Sequence, residues 1–127
     1  MMIDKSLIGK SATATTIVTD SNTAKAVGSG SLDVFATPMM VALMEAAACN
    51  CLADALKDGQ SSVGTQISVD HTAASPLGAE ITATATVTGV DGRKITFNLS
   101  ASDNKNEIGK GIHTRYVIDI ERFMAKL

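Results

Sequence analysis

The run Thr37-Pro38-Met39-Met40-Val41-Ala42-Leu43-Met44-Glu45-Ala46-Ala47-Ala48-Cys49-Asn50-Cys51-Leu52 carries a single charged side chain, Glu45. It opens on a helix-start signal. Threonine is a good N-cap, and proline at the first helical position gives up an N–H that has no intrahelical partner anyway. Apolar residues continue through Leu56, and Lys57-Asp58-Gly59 supplies the stop. The first four turns are apolar nearly all round, which predicts a helix covered on most sides, as when a sheet wraps around it.

Upstream, residues 6–18 alternate loosely and are rich in threonine, predicting a first strand. Residues 20–33 are polar and small, with Gly28-Ser29-Gly30-Ser31 near the end, and read as a connection with room for a short helix around 23–27. Those glycines make no dinucleotide fingerprint, because no strand–turn–helix frame surrounds them. Downstream come four strand candidates, at 63–72, 80–90, 94–102 and 108–119. Asp91-Gly92 joins two of them with a strong hairpin signal. In the last strand Ile108, Ile112, Thr114, Tyr116 and Ile118 share a parity and are expected on one face. Residues 121–126 read as a terminal helical turn. The expected fold is α+β, an antiparallel sheet on one long apolar helix, because the strands after the helix join by hairpins rather than crossovers.

A chain of 127 residues with 45% hydrophobic content suits one domain, here 1–127, and is too short for two. At this size about two-thirds of the unfolded surface is buried on folding, so a partner subunit adds stability. Eleven basic against thirteen acidic residues give a net charge of −2, which is no footprint for nucleic acid. The aromatics are only Phe35, Phe97, Tyr116 and Phe123, which argues against stacking platforms for single strands. Cys49 and Cys51 point about 200° apart on a helix, so they neither bridge nor share a metal and read as small buried hydrophobes in a reducing compartment. Residues 1–10 lack a secretory apolar core, and residues 38–53 are too short and carry Glu45 in their middle. A cytoplasmic protein with no membrane partner is expected.

Chemistry centres on three side chains. Glu45 is a carboxylate on a helix that otherwise wants burial, so it must be neutral, hydrogen-bonded or facing a cavity; a structural ion pair is the plainer alternative. His71 shares parity with Ile67 and Val69 and belongs to the apolar face, either as a satisfied structural imidazole or as a base. His113 has the opposite parity to Ile112, Thr114 and Tyr116 and is expected at a solvated or edge position. Thr37 reads as an N-cap, yet its hydroxyl lies at the positive end of a helix. Gly64 permits close backbone approach, and its N–H is an oxyanion-donor candidate. Thr37 and Glu45, eight residues apart, are separated by about 12 Å along the axis and about 80° around it. Either His71 and substrate lie between them, or a two-fold interface brings copies together.

These stretches resemble a known family. Residues 33–45, residues 63–76 with Val63-Gly64-Thr65-Gln66 and Asp70-His71-Thr72, and Glu107-Ile108-Gly109-Lys110-Gly111-Ile112-His113-Thr114-Arg115 are similar to hotdog-fold thioesterases of the fluoroacetyl-CoA type. The resemblance implies a hotdog homodimer with acyl-CoA at the subunit interface and no separate cofactor or metal. It also implies Thr37, Glu45 and His71 as the catalytic trio, with Gly64 and Arg115 contacting substrate. One departure stands out. The family's fluoroacetyl-selective lid uses phenylalanines ahead of the central helix, whereas residues 21–33 here contain none.

The expected reaction is hydrolysis of a short acyl-CoA to carboxylate and free CoA. Glu45 attacks directly or activates water, His71 moves the proton, Thr37 is nucleophile or hydrogen-bond partner, and Gly64 N–H faces the oxyanion. Arg93, Lys94, Lys105, Lys110 and Arg115 are available for the CoA phosphates. Two rival readings are a hotdog hydratase or dehydratase and a non-catalytic acyl-CoA-binding module.

Overall fold

Small inner-face residues decide how closely helix and sheet meet. The computed structural model describes residues 3–127. The elements, in chain order, are β1 (Ser11–Ile17), α1 (Ala24–Val27), α2 (Thr37–Leu52), β2 (Gln60–His71), β3 (Glu80–Asp91), β4 (Lys94–Ser102), β5 (Glu107–Asp119) and α3 (Ile120–Ala125). The strands form one antiparallel sheet in the order β1-β3-β4-β5-β2. On β3, Ile81, Ala83, Ala85 and Val87 face inward, and α2 lays Met40, Met44, Ala47, Ala48, Cys51 and Leu52 against β1 and β3. Alanine on both surfaces lets the helix axis approach the sheet, while Phe97, Ile95, Ile108 and Val117 fill the rest of the core.

Four expectations need correction. First, β2 is not the hairpin neighbour of β3. It pairs with β5 at one edge of the sheet, and the chain then crosses to β3, beside β1 at the other edge. The connection of residues 72–79 is longer than a hairpin turn and is tied to the start of α2 by Phe35 N–H donating to the Ser75 carbonyl at 2.9 Å. Second, β5 changes parity. Ala101 pairs with Gly109 but Ser102 pairs with Glu107, so Ile108 is an extra residue and both Ile108 and Gly109 are buried. A one-residue bulge moves every later side chain to the opposite face. His113, Arg115 and Val117 therefore point inward, whereas Ile112 is 54% and Tyr116 40% exposed. His113 is 1% exposed, not solvated.

Third, the sheet covers one stripe of α2 rather than most of it, leaving Ala42, Ala46, Cys49 and Asn50 exposed. Fourth, only Cys51 is a buried cysteine, its thiol donating to the Ala85 carbonyl at 3.2 Å; Cys49 is exposed. The helix also ends at Leu52, with Ala55 and Leu56 N–H groups still donating to the Leu52 carbonyl in a following turn.

Candidate active site

Thr37 is the first residue of α2, not its cap. Ala36 occupies the cap position and provides no side-chain bond, with Pro38 following inside the first turn. The Thr37 hydroxyl is thereby free of the helix end and lies 2.7 Å from Nδ1 of His71, the last residue of β2. His71 Nε2 is closed off from solvent and has no protein partner. Burial pushes the His71 pKa below its ordinary value near 6.5, against a smaller opposing contribution from the Ala73 backbone, so the imidazole is neutral at pH 7. Thr37 and His71 open onto a cavity of about 260 Å³ whose other walls include Ala24, Ser29, Phe35 and Ala73. The connection before α2 thus supplies part of the wall, with Thr23 capping α1 through Ala26 N–H and Gly28, at φ +80°, ending it.

Two turns along α2, Glu45 enters a second cluster. Its side chain is 40% exposed, and Oε2 accepts from Arg115 at 3.2 Å. The Arg115 guanidinium is held from several sides. Nε donates to Ser62 Oγ at 2.8 Å, one terminal nitrogen donates to the Ser62 carbonyl at 3.0 Å, and the nitrogen that meets Glu45 also lies 3.2 Å from His113 Nε2. His113 Nδ1 lies 2.7 Å from the Gln66 carbonyl. Gly64 makes room for all of this. A Cβ there would stand 2.8 Å from Glu45 Oε2, 3.1 Å from His113 Cε1 and 3.3 Å from the Arg115 terminal nitrogen.

A family model described as fluoroacetyl-CoA-specific thioesterase matches residues 18–121. The fluoroacetyl-CoA thioesterase of Streptantibioticus cattleyicolor is 47% identical over 95 residues, 75% of this chain and 68% of that protein. The chain belongs to the fluoroacetyl-CoA-specific thioesterase family. It is therefore a thioester hydrolase by descent. Among solved structures, a variant of the fluoroacetyl-CoA-specific thioesterase in complex with fluoroacetate and CoA is 38% identical and superposes with a TM-score of 0.86, over 91% of this chain and 98% of that one. A hot-dog-like protein from Thermanaerovibrio acidaminovorans is 25% identical with a TM-score of 0.85, covering 95% and 91% of the two chains. The curled sheet around α2 is thus the hotdog fold.

Within this thioesterase-family chain the named residues fall into two groups. Thr37 meets His71, and Gly64 surrounds Glu45 with Arg115, but no hydrogen bond joins the groups within one chain. Glu45 is neither alone nor sealed in the core: it is half-exposed and ion-paired. Of the cations considered for CoA phosphates, Arg93 pairs with Asp119 at 3.3 Å and Arg115 points inward, while Lys94, Lys105 and Lys110 are exposed. The sequence placed His113 at a solvated or edge position rather than in this cluster, and gave Ser62 and Gln66 no role. The bulge that turns His113 inward has no compositional mark, and Gly109, two residues after Glu107, is its nearest hint. Among the described residues no group of three His, Cys, Asp or Glu could hold a metal ion, and no helix is long and apolar enough to cross a membrane.

Proposed function

We propose that this chain hydrolyses short-chain acyl-CoA thioesters to a carboxylate and free CoA, as a homodimer, with Thr37, His71 and Glu45 at the reacting centre. The observation that carries the reading is the 2.7 Å contact between the Thr37 hydroxyl and His71 Nδ1 at the edge of an open cavity whose walls include Ala24, Ser29 and Phe35. The carbonyl oxygen of the thioester gains negative charge on attack, and the positive end of α2, at Thr37, is suited to stabilise it. Water is the nucleophile. Arg115 occupies Oε2 of Glu45, so the other carboxylate oxygen is the one that takes the water proton. The tetrahedral intermediate collapses with loss of the CoA thiolate, which takes up the proton that Glu45 removed from water, and neutral His71 orients the Thr37 hydroxyl.

Dimerisation serves this reading in two ways. It covers the exposed outer stripe of α2, including Ala42 and Ala46, and it brings one copy's Glu45 cluster toward the other copy's Thr37–His71 pair. The acyl pocket has Phe35 in its wall, but residues 21–33 supply Ala24 and Ser29 where the family's lid has phenylalanines, so acetyl-CoA and fluoroacetyl-CoA are expected to be turned over with kcat/KM values within about tenfold of each other.

Free thiol released from a panel of acyl-CoA esters tests the reading. Hydrolysis should be strongest with short acyl groups and fall by about 10²-fold or more in His71→Ala. Hydration of an enoyl-CoA without thiol release would assign hydratase chemistry instead. A rise in melting temperature with intact esters would assign a binding module.

A further inference from the structure

We propose that His113 is a positioning residue for the reaction, a neutral hydrogen-bond acceptor that holds Arg115 on Glu45. The proposal rests on the reading of Glu45 as the catalytic carboxylate. The hydrogen-bond chemistry leaves one tautomer. The Gln66 carbonyl can only accept, so His113 Nδ1 carries the proton across the 2.7 Å contact; a guanidinium can only donate, so His113 Nε2 presents its lone pair at 3.2 Å. Arg115 therefore uses the two hydrogens of one terminal nitrogen on two acceptors, Glu45 Oε2 and His113 Nε2. Ser62 fixes the far side of the same guanidinium through Nε and the other terminal nitrogen. His113 itself stands 3.9 Å from Glu45 Oε2, beyond hydrogen-bond reach, so its influence passes through Arg115.

Packing shows that this polarity is not needed for space. His113 is opposite Phe97 on β4 and Ile67 on β2, and its ring centroid is 5.9 Å from that of Phe97. An aromatic hydrocarbon would fill the same hole. Of the elements packed around the ring, α2 contributes Glu45 and β5 contributes Arg115 as charged groups; Phe97 and Ile67 contribute none. Burial is the main influence that keeps the imidazole neutral, and Arg115 adds to it against the Gln66 carbonyl and Glu45. Protonation would set an N–H at Nε2 against the Arg115 donor, removing the bond that orients the guanidinium.

The test is a set of three variants measured by thiol release and thermal denaturation. His113→Phe keeps the volume and removes the acceptor. His113→Gln carries an amide oxygen to the reach of Nε2, whereas His113→Asn reaches only to Nδ1. We expect His113→Phe to lower kcat about 10- to 100-fold with KM changed less than threefold, and His113→Gln to recover most of the loss while His113→Asn does not. In a Glu45→Gln background His113→Phe should cost no further activity, because the two act as one unit. Folded His113→Phe with wild-type kcat and pH profile overturns the proposal, as does equal activity in His113→Gln and His113→Asn should His113→Phe fail to fold. Full activity in Glu45→Gln overturns the underlying reading of Glu45, and the positioning role falls with it; an impaired Glu45→Gln beside an unaffected His113→Phe overturns the positioning role alone.

Discussion

At the scale of single residues, Thr37 separates stability from chemistry. A threonine that caps a helix is worth about 1 kcal/mol, but here Ala36 holds the cap position and the Thr37 hydroxyl bonds His71 instead. Thr37→Ala should therefore change unfolding free energy by only a few tenths of a kcal/mol in urea titrations while lowering thiol release strongly. Gly64 supplies a second residue-scale prediction. Its missing Cβ is space already occupied by Glu45, His113 and Arg115, so Gly64→Ala should lower kcat by displacing the Glu45 carboxylate. His71 gives a third. Because burial depresses its pKa, the base form persists below the ordinary imidazole value of 6.5, and kcat/KM should hold its plateau to a lower pH than a solvent-exposed histidine would allow. An acid limb centred above 6.5 would contradict that assignment.

At the scale of elements, some of the architecture was legible and some was not, for identifiable reasons. The helix start was readable to within one residue from Pro38, although Ala36 rather than Thr37 holds the cap position, and the Asp91-Gly92 hairpin was readable because Gly92 adopts the positive φ, +63°, that the turn demands. The pairing of β2 with β5 was not readable, since strands distant in sequence choose partners through the whole sheet. The inward face of β5 was misjudged because the apolar parity of Ile112 and Ile118 dominated, while the extra residue at Ile108 left no signature. Thr37, Glu45 and His71 were singled out from the sequence and the structure brings the first and last of them together, but the network around Glu45 depended on that parity and stayed hidden. The strand after the bulge also makes a stability prediction. A Cβ at Gly109 would lie 2.7 Å from both the Asp70 carbonyl and Met40 Sδ, so Gly109→Ala should destabilise by about 1–3 kcal/mol in denaturant titrations.

At the scale of the whole molecule, two histidines tie stability to pH. His71 and His113 both have folded-state pKa values lowered chiefly by burial, so the unfolded chain binds protons first as pH falls. Their contribution is fully present above the unfolded value near 6.5 and is lost as pH drops through the lowered folded values. The melting temperature should fall between pH 7 and pH 5. The exposed outer stripe of α2 gives the molecule its second global property, and the proposed dimer should sediment at twice the 13.1 kDa chain mass. Thioester hydrolysis at Thr37, His71 and Glu45 is tested most directly by thiol-release kinetics with acetyl-CoA for the wild type beside Glu45→Gln and His71→Ala. Hydrolysis by the wild type, depressed about 10²-fold or more in both variants while each remains folded, is the predicted result. Wild-type turnover in both variants would contradict it.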